Sequence, residues 1–274
     1  MASNNPAFGR GFARAVNGQA PASGQGYAGW GGVPQQQYGP TADPYAAPSP
    51  YARPATRFMT MDDVVTKTGI AFLVTVLAAA ATWALPGTTG WALALPAALL
   101  ALVLGLVISF RMIANPAATL GYAALEGVFL GAISEAFDAR YPGIVLQAVI
   151  GTFGVFAGML VVYKTGAIRV TPRLTRWVIG ALVGVLVLAL VNGIASIFVA
   201  GGLGLRAGGP AAIIFSLIVI GVAAFSLLLD FDMADQAIRR GVPAKFAWYI
   251  SFGLLVTVVW LYLEILRLLS YFRE

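Results

Sequence analysis

From residue 58 onward, polar positions come in short clusters, and the apolar positions between them form seven long runs. These are 68–86, 91–113, 117–138, 143–163, 177–199, 210–232 and 246–272. An α-helix rises about 1.5 Å per residue, so a hydrocarbon layer of about 30 Å takes roughly 20 residues to cross. Each run is near that length. The breaks carry turn chemistry: Pro86-Gly87, Asn115-Pro116, Tyr141-Pro142-Gly143, Lys164 to Arg176, Gly201 to Gly209, and Arg239 to Lys245. The pattern predicts an all-α membrane protein with seven transmembrane helices over residues 58–274. The first two runs stand only a few residues apart, which fits a tight helical hairpin or one long broken helix. Residues 59–67 read as a helix start, with Thr60 as the cap and Asp62 and Asp63 in the first turn, where negative charge suits the helix dipole. Pro96 is expected one turn into the second span, where proline is tolerated.

Residues 1–57 follow no apolar period. Eight of the 15 Pro and nine of the 32 Gly fall there, mixed with Gln, Ser, Ala and Tyr. Such a stretch cannot bury enough apolar surface to offset chain entropy, so it is expected to be a disordered tail. No apolar run follows Arg10 or Arg14, which argues against a signal peptide. Its scattered aromatic residues could contact a partner, which the sequence does not identify.

Composition sharpens this reading. The chain has 274 residues, 59% hydrophobic and 10% charged, whereas a soluble domain is about a quarter charged. There is no Cys and no His. This excludes a disulfide framework, a thiol nucleophile, a His metal site and a Ser-His-Asp triad. No nucleophile–base set or metal-ligand spacing stands in any loop, so an enzyme is not expected and no resident cofactor is implied. The net charge of +6 would suit nucleic acid, but its distribution gives another account. With the tail placed inside, 13 of the 17 Lys and Arg fall on the inner segments. Only Arg140, Arg206, Arg267 and Arg273 fall on the outer ones. That is the positive-inside pattern. It predicts a cytoplasmic N terminus and an external C terminus, with the basic residues facing anionic lipid rather than nucleic acid.

A carboxylate within a bilayer is costly, and by default it marks a functional site. Four of the 11 acids lie within apolar sequence: Glu126, Glu135, Asp230 and Glu264. The rise per residue puts Glu126 near mid-membrane, Glu135 near the outer boundary and Asp230 near the inner boundary. Arg111 ends the second run on that same inner side, so an Asp230–Arg111 pair is possible. Glu264 lies in the outer half of the last run, and Arg267 at i+3 could screen it. Asp232 and Asp235 sit at the inner end of the sixth run, where Arg239 could pair with them. Glu126 stands among Gly121, Gly127 and Gly131. It suits a hydrogen-bonded packing role and a place on an ion path equally well, and small residues of this kind permit close helix contact. Asn192 and Gln147 are expected to hydrogen-bond between helices.

Three segments, LEGVFLGAIS (125–134), LLLDFDMADQAI (227–238) and WLYLEILRLLS (260–270), together with the seven-span layout and the start MDDVV, resemble the Bax inhibitor-like (transmembrane Bax inhibitor motif) family. The resemblance covers residues 58–274, and the Gly/Pro/Tyr-rich tail is similar to that of bacterial members. It implies a multi-pass protein of a bacterial plasma membrane, with the last helix central and wrapped by the other six. It also implies a pH-sensitive calcium leak governed by two acids. These would be Asp230, or Asp232 in an alternative register, and Glu264, where the family usually has Asp. Arg111 matches the family's gate arginine.

The expected function is therefore a pH-sensitive calcium or cation leak gated by Asp230, Glu264 and Arg111, with Glu126 and Asp232 as further members of an ion path. Two carboxylates in a dry site cannot both ionise freely, and calcium takes oxygen ligands, so Asp230 and Glu264 could hold a calcium ion transiently. The estimated depths of these two acids differ, which speaks against a direct pair unless the helices bend or unwind. The alternative is a non-conducting membrane scaffold, or a regulator of membrane protein quality control, that binds through its tail.

Overall fold

The computed structural model describes residues 57–85, 89–199, 202–206 and 208–273; the reading of the tail before residue 57 lies outside them. Seven helices follow: α1 Met61–Trp83, α2 Thr89–Arg111, α3 Pro116–Arg140, α4 Ile144–Thr165, α5 Pro172–Phe198, α6 Gly209–Arg239 and α7 Ala247–Tyr271. A short 3-10 turn, Ala244–Phe246, leads into α7. All seven are long and apolar enough to cross a membrane, so the chain is an all-helical integral membrane protein.

The helix starts follow from local chemistry. Thr60 caps α1 reciprocally: Asp63 N–H donates to Thr60 Oγ1 at 3.3 Å, and Thr60 N–H donates to Asp63 Oδ2 at 3.1 Å, which satisfies donors that a helix start leaves open. Asn115 and Thr171 cap α3 and α5 in one direction, accepting from Ala117 N–H and Leu174 N–H, and each is followed by a proline at the first helical position, where the missing N–H has no partner to lose. Pro96 falls deeper than expected, because α2 begins at Thr89 and the proline stands inside the helix. α1 and α2 each pack on α3.

α7 is the core of the bundle. Leu255, Leu261 and Leu266 are fully buried, and the helix packs against α1, α3, α4 and α6. The wrapping is less even than six helices around one. α2 packs mainly on α3 and α5 mainly on α6, so these two form an outer layer. α5 buries only Val178 and Asn192, and its exposed Leu, Val and Ile side chains suit hydrocarbon. α1 and α3 approach most closely. A Cβ on Gly127 would run into the carbonyl oxygen of Thr75 and come within 2.7 Å of Ala78 Cβ, and one on Gly131 would meet the carbonyl oxygen of Ala79. Only glycine lets the two backbones meet this way.

One end of the bundle gathers the start of α1, the end of α2, the end of α6 and the start of α7. It is tied by a backbone strap: Met59 N–H donates to the Val242 carbonyl and Ala244 N–H to the Arg57 carbonyl, each at 2.8 Å. Met59 is 2% exposed. Lys67 Nζ reinforces the strap by donating to the Ala244 carbonyl at 2.6 Å. This is called the strap end below, and the opposite one, where α7 finishes, the far end.

Candidate functional site

The site forms along the α6–α7 interface. α6 is longer than its apolar run, extending to Arg239 rather than stopping near residue 232. Asp230 therefore lies about nine residues, or roughly 13 Å, inside the end of the helix. Its partner is Thr257, ten residues into α7, whose hydroxyl lies 2.7 Å from Asp230 Oδ2. The same hydroxyl is 3.2 Å from the Gly253 carbonyl of its own helix. Its single hydrogen thus has two acceptors within reach.

Asp230 and Thr257 close the inner end of a cleft of about 370 Å³ between α2, α6 and α7. Gly105 and Ser109 line one wall, and Tyr249, Phe252 and Gly253 line another. Tyr122 of α3 forms the back, its ring set edge-on to Phe252 with centroids 4.9 Å apart. The cleft exists because α2 rests on α3 and leaves α6 and α7 uncovered on that side. Ser109 and Tyr249 line its part nearest the strap end, and the exposed side chains of Leu102, Leu106, Met233 and Val256 rim it on the outer face of the bundle.

Arg111 follows Ser109 at the end of α2. It is exposed, and it forms no ion pair with Asp230. The possible Asp230–Arg111 bridge is not formed; the Asp230 carboxylate is held by Thr257 of α7 instead.

Glu264 is 2% exposed. Ser216 of α6 donates to its Oε1 at 3.0 Å, and Arg267 donates to its Oε2 at 3.0 Å. The i+3 pairing with Arg267 is the one expected. Glu264 and Asp230 do not meet. Seven residues of α7, about 10 Å of rise, separate Thr257 from Glu264. Between Asp230 and Ser216, α6 buries Leu227, Ala223 and Val219, and α7 adds Leu261. An apolar layer therefore stands between two separately satisfied acids.

Glu126 is half-buried on α3 and faces Tyr122, one turn earlier. It thus stands behind the tyrosine that backs the cleft. Asp232 accepts from Gln236 Nε2 at 2.5 Å and is half-buried near the strap end. Asp235 takes Arg239 at 2.8 Å, four residues on. Asp232 and Asp235 border a separate cleft with Tyr163 and Arg169, so the structure sets Asp232 apart from Asp230. Among the described residues no three acidic side chains gather as a metal site, and Asp230 and Glu264 would have to move to share one calcium ion.

Sequence reasoning missed Thr257 and Ser216, the hydroxyls that hold the two acids. Each is a small polar residue within a long apolar run, a weak but visible signal. Two other readings change. Asn192 accepts from Leu203 N–H at 3.0 Å and so fixes a loop rather than a neighbouring helix. Gln147 meets Arg273 near the C terminus at 2.9 Å.

No curated protein matches the chain. The family described as Bax inhibitor 1 like matches residues 5–274, taking in most of the N-terminal tail as well as all seven helices. With that match spanning nearly the whole sequence, the chain belongs to the Bax inhibitor 1 like family.

Proposed function

We propose that this protein is a pH-sensitive leak for calcium or a similar cation, with Asp230 and Glu264 as its gating carboxylates. The observation that carries this reading is the cleft that Asp230 lines. A carboxylate at the bottom of a cleft, inside a membrane bundle, is poised to receive a cation from one side. Beyond it the path is shut by Leu227, Ala223, Val219 and Leu261, with Glu264 on the other side of that layer. The two acids act in series rather than as a touching pair.

The positive-inside pattern supports placing the strap end in the cytoplasm and the far end outside, in a bacterial plasma membrane. In its resting form Asp230 is held by Thr257. When α2 and α6 shift, Arg111 beyond the lip of the cleft becomes its counter-charge. Loss of a proton from Asp230 places a charge in a dry interface, which costs desolvation and favours that shift. Glu126 behind Tyr122 adds negative potential to the cleft. Calcium is the cargo, taken up by carboxylate and hydroxyl oxygens. Asp232 belongs to the neighbouring cytoplasmic mouth rather than to the gate.

The test is calcium flux into proteoliposomes holding the full chain, measured against pH. Flux that responds to pH in the wild type and loses that response in Asp230→Asn supports the reading. Absence of wild-type flux at every pH, or an unchanged profile in a folded Asp230→Asn protein, rejects it.

A further inference from the structure

A second cleft, of about 270 Å³, opens on another face of α7. α1 and α4 flank it, and α3 and α7, on which both of them pack, form its floor. The exposed side chains of Val76, Trp83 and Phe153 stand at its rim. Its mouth is therefore continuous with the surface that the bundle turns to hydrocarbon. Among the described residues no charged side chain lines it. An occupant comes from the hydrocarbon layer and is neutral where it touches these walls, since a charge there would be buried unpaired.

The hydroxyls that line the cleft belong to Thr75, Thr152, Ser134 and Tyr262, and each carries one hydrogen to donate. Thr75 has the carbonyls of Ala71 and Ala123 as acceptors, each at 3.1 Å, and Thr152 donates to the Ala148 carbonyl at 2.7 Å. Ser134 of α3 and Tyr262 of α7 lie 2.7 Å apart. One of them donates to the other, and the second hydrogen of the pair has no acceptor among the described residues. The two side chains belong to residues only 5% and 9% exposed, and a buried donor without a partner is unfavourable. The pair thus offers one hydrogen bond to whatever enters the cleft.

We propose that the cleft holds one acyl chain of a membrane phospholipid, with the ester carbonyl oxygen of that chain accepting the second hydrogen of the Ser134–Tyr262 pair. Apolar walls with a single placed donor match a hydrocarbon tail that carries one acceptor. The level also fits. Ser134 stands six residues, about 9 Å of rise, before the end of α3. Trp83, the last residue of α1, marks the same end of the cleft, and indole rings collect where headgroups meet hydrocarbon. Val258, in the wall of the cleft, directly follows Thr257, which holds Asp230. A seated acyl chain therefore supports α7 behind the Asp230 contact. The site stands whether or not the protein conducts.

The test uses the full-length protein in discs of phosphatidylcholine that carries a photoreactive diazirine midway along one acyl chain, made in ester-linked and ether-linked forms. Labelled positions are read by peptide mass spectrometry. The exposed segment 186–191 of α5 reports ordinary contact with surrounding lipid. The ester lipid should label the cleft walls, 76–83 and 149–153, more than it labels 186–191. The ether lipid lacks the carbonyl, so wall labelling should fall about fivefold, the effect of one lost hydrogen bond. Removing both hydroxyls with Ser134→Ala and Tyr262→Phe should erase that preference. Ala80→Phe puts a ring in the cleft and should cut wall labelling about tenfold, leaving 186–191 unchanged. Ala80 is exposed, so this variant folds, and thermal unfolding in detergent checks both proteins. Equal labelling of the walls and of 186–191, or equal labelling by the two lipids in the wild type, overturns the proposal. So does a neutral compound other than phospholipid, or a dimer, that native mass spectrometry finds with the wild type and not with Ala80→Phe.

Discussion

The Thr257 hydroxyl stands 2.7 Å from the Asp230 carboxylate across the α6–α7 interface, at the closed end of a cleft. This contact fixes where a charge sits inside the bundle. Removing the hydroxyl leaves a carboxylate with less support at the same place. Thr257→Val should lower stability by about 1–3 kcal/mol, the cost of an unsatisfied polar group, and thermal unfolding in detergent measures it. Asp230→Asn keeps shape and hydrogen bonding, so it should fold like the wild type while flattening the response of calcium flux to pH.

The Glu264–Arg267 pair calls for a double-mutant cycle. Arg267→Gln leaves Glu264 buried with only Ser216, and breaking one partner of a buried pair costs about 3–5 kcal/mol. The lower figure applies, since 26% of the Arg267 side chain stays exposed. Glu264→Gln with Arg267→Gln should recover most of that loss. Additive losses in the thermal unfolding of the double variant would show that the two residues act independently.

Glycines that look alike in sequence should respond differently. Gly127→Ala forces a Cβ against the Thr75 carbonyl oxygen of α1 and should cost about 1–3 kcal/mol as overpacking. Gly121→Ala would place its Cβ 3.7 Å from Leu104 Cδ2, an ordinary contact, and should leave the unfolding temperature near the wild-type value. Equal effects at both positions would contradict the close α1–α3 approach.

The strap sets a limit on truncation. Deleting residues 2–55 removes none of the hydrogen bonds from Arg57 and Met59, so the bundle should stay folded and monodisperse. Extending the deletion through Met59 removes both backbone bonds to the α6–α7 connection and a residue 2% exposed. That longer deletion should lower the unfolding temperature clearly, as size-exclusion profiles and thermal scans would show.

Orientation is tested with reporters. A cytosol-specific reporter ahead of residue 57 should be active, and the same reporter after Glu274 should be silent, because 13 of the 17 Lys and Arg fall on the segments that the sequence pattern reads as inner. Activity at the C-terminal fusion would reverse the assignment.

The length of an apolar run, a capping residue followed by proline, and the side on which Lys and Arg gather are local or additive properties. The seven spans, the Thr60 start, the Asn115-Pro116 break and the Glu264–Arg267 spacing were therefore legible from the chain, whereas the fifth helix begins at Pro172 rather than 177. So was the difference in height between Asp230 and Glu264, since rise per residue converts sequence position into depth. The angular setting of each helix was not legible. A span that is apolar on most faces carries little signal for which face meets its neighbour, so packing alone decided that Asp230 turns to Thr257 and away from Arg111. It also decided that Gly127 and Gly131, but not Gly121, touch another backbone. Arg140, Arg206 and Arg267 share no local pattern, and only the meeting of α3, α7 and the loop that Asn192 holds brings them to line one cavity.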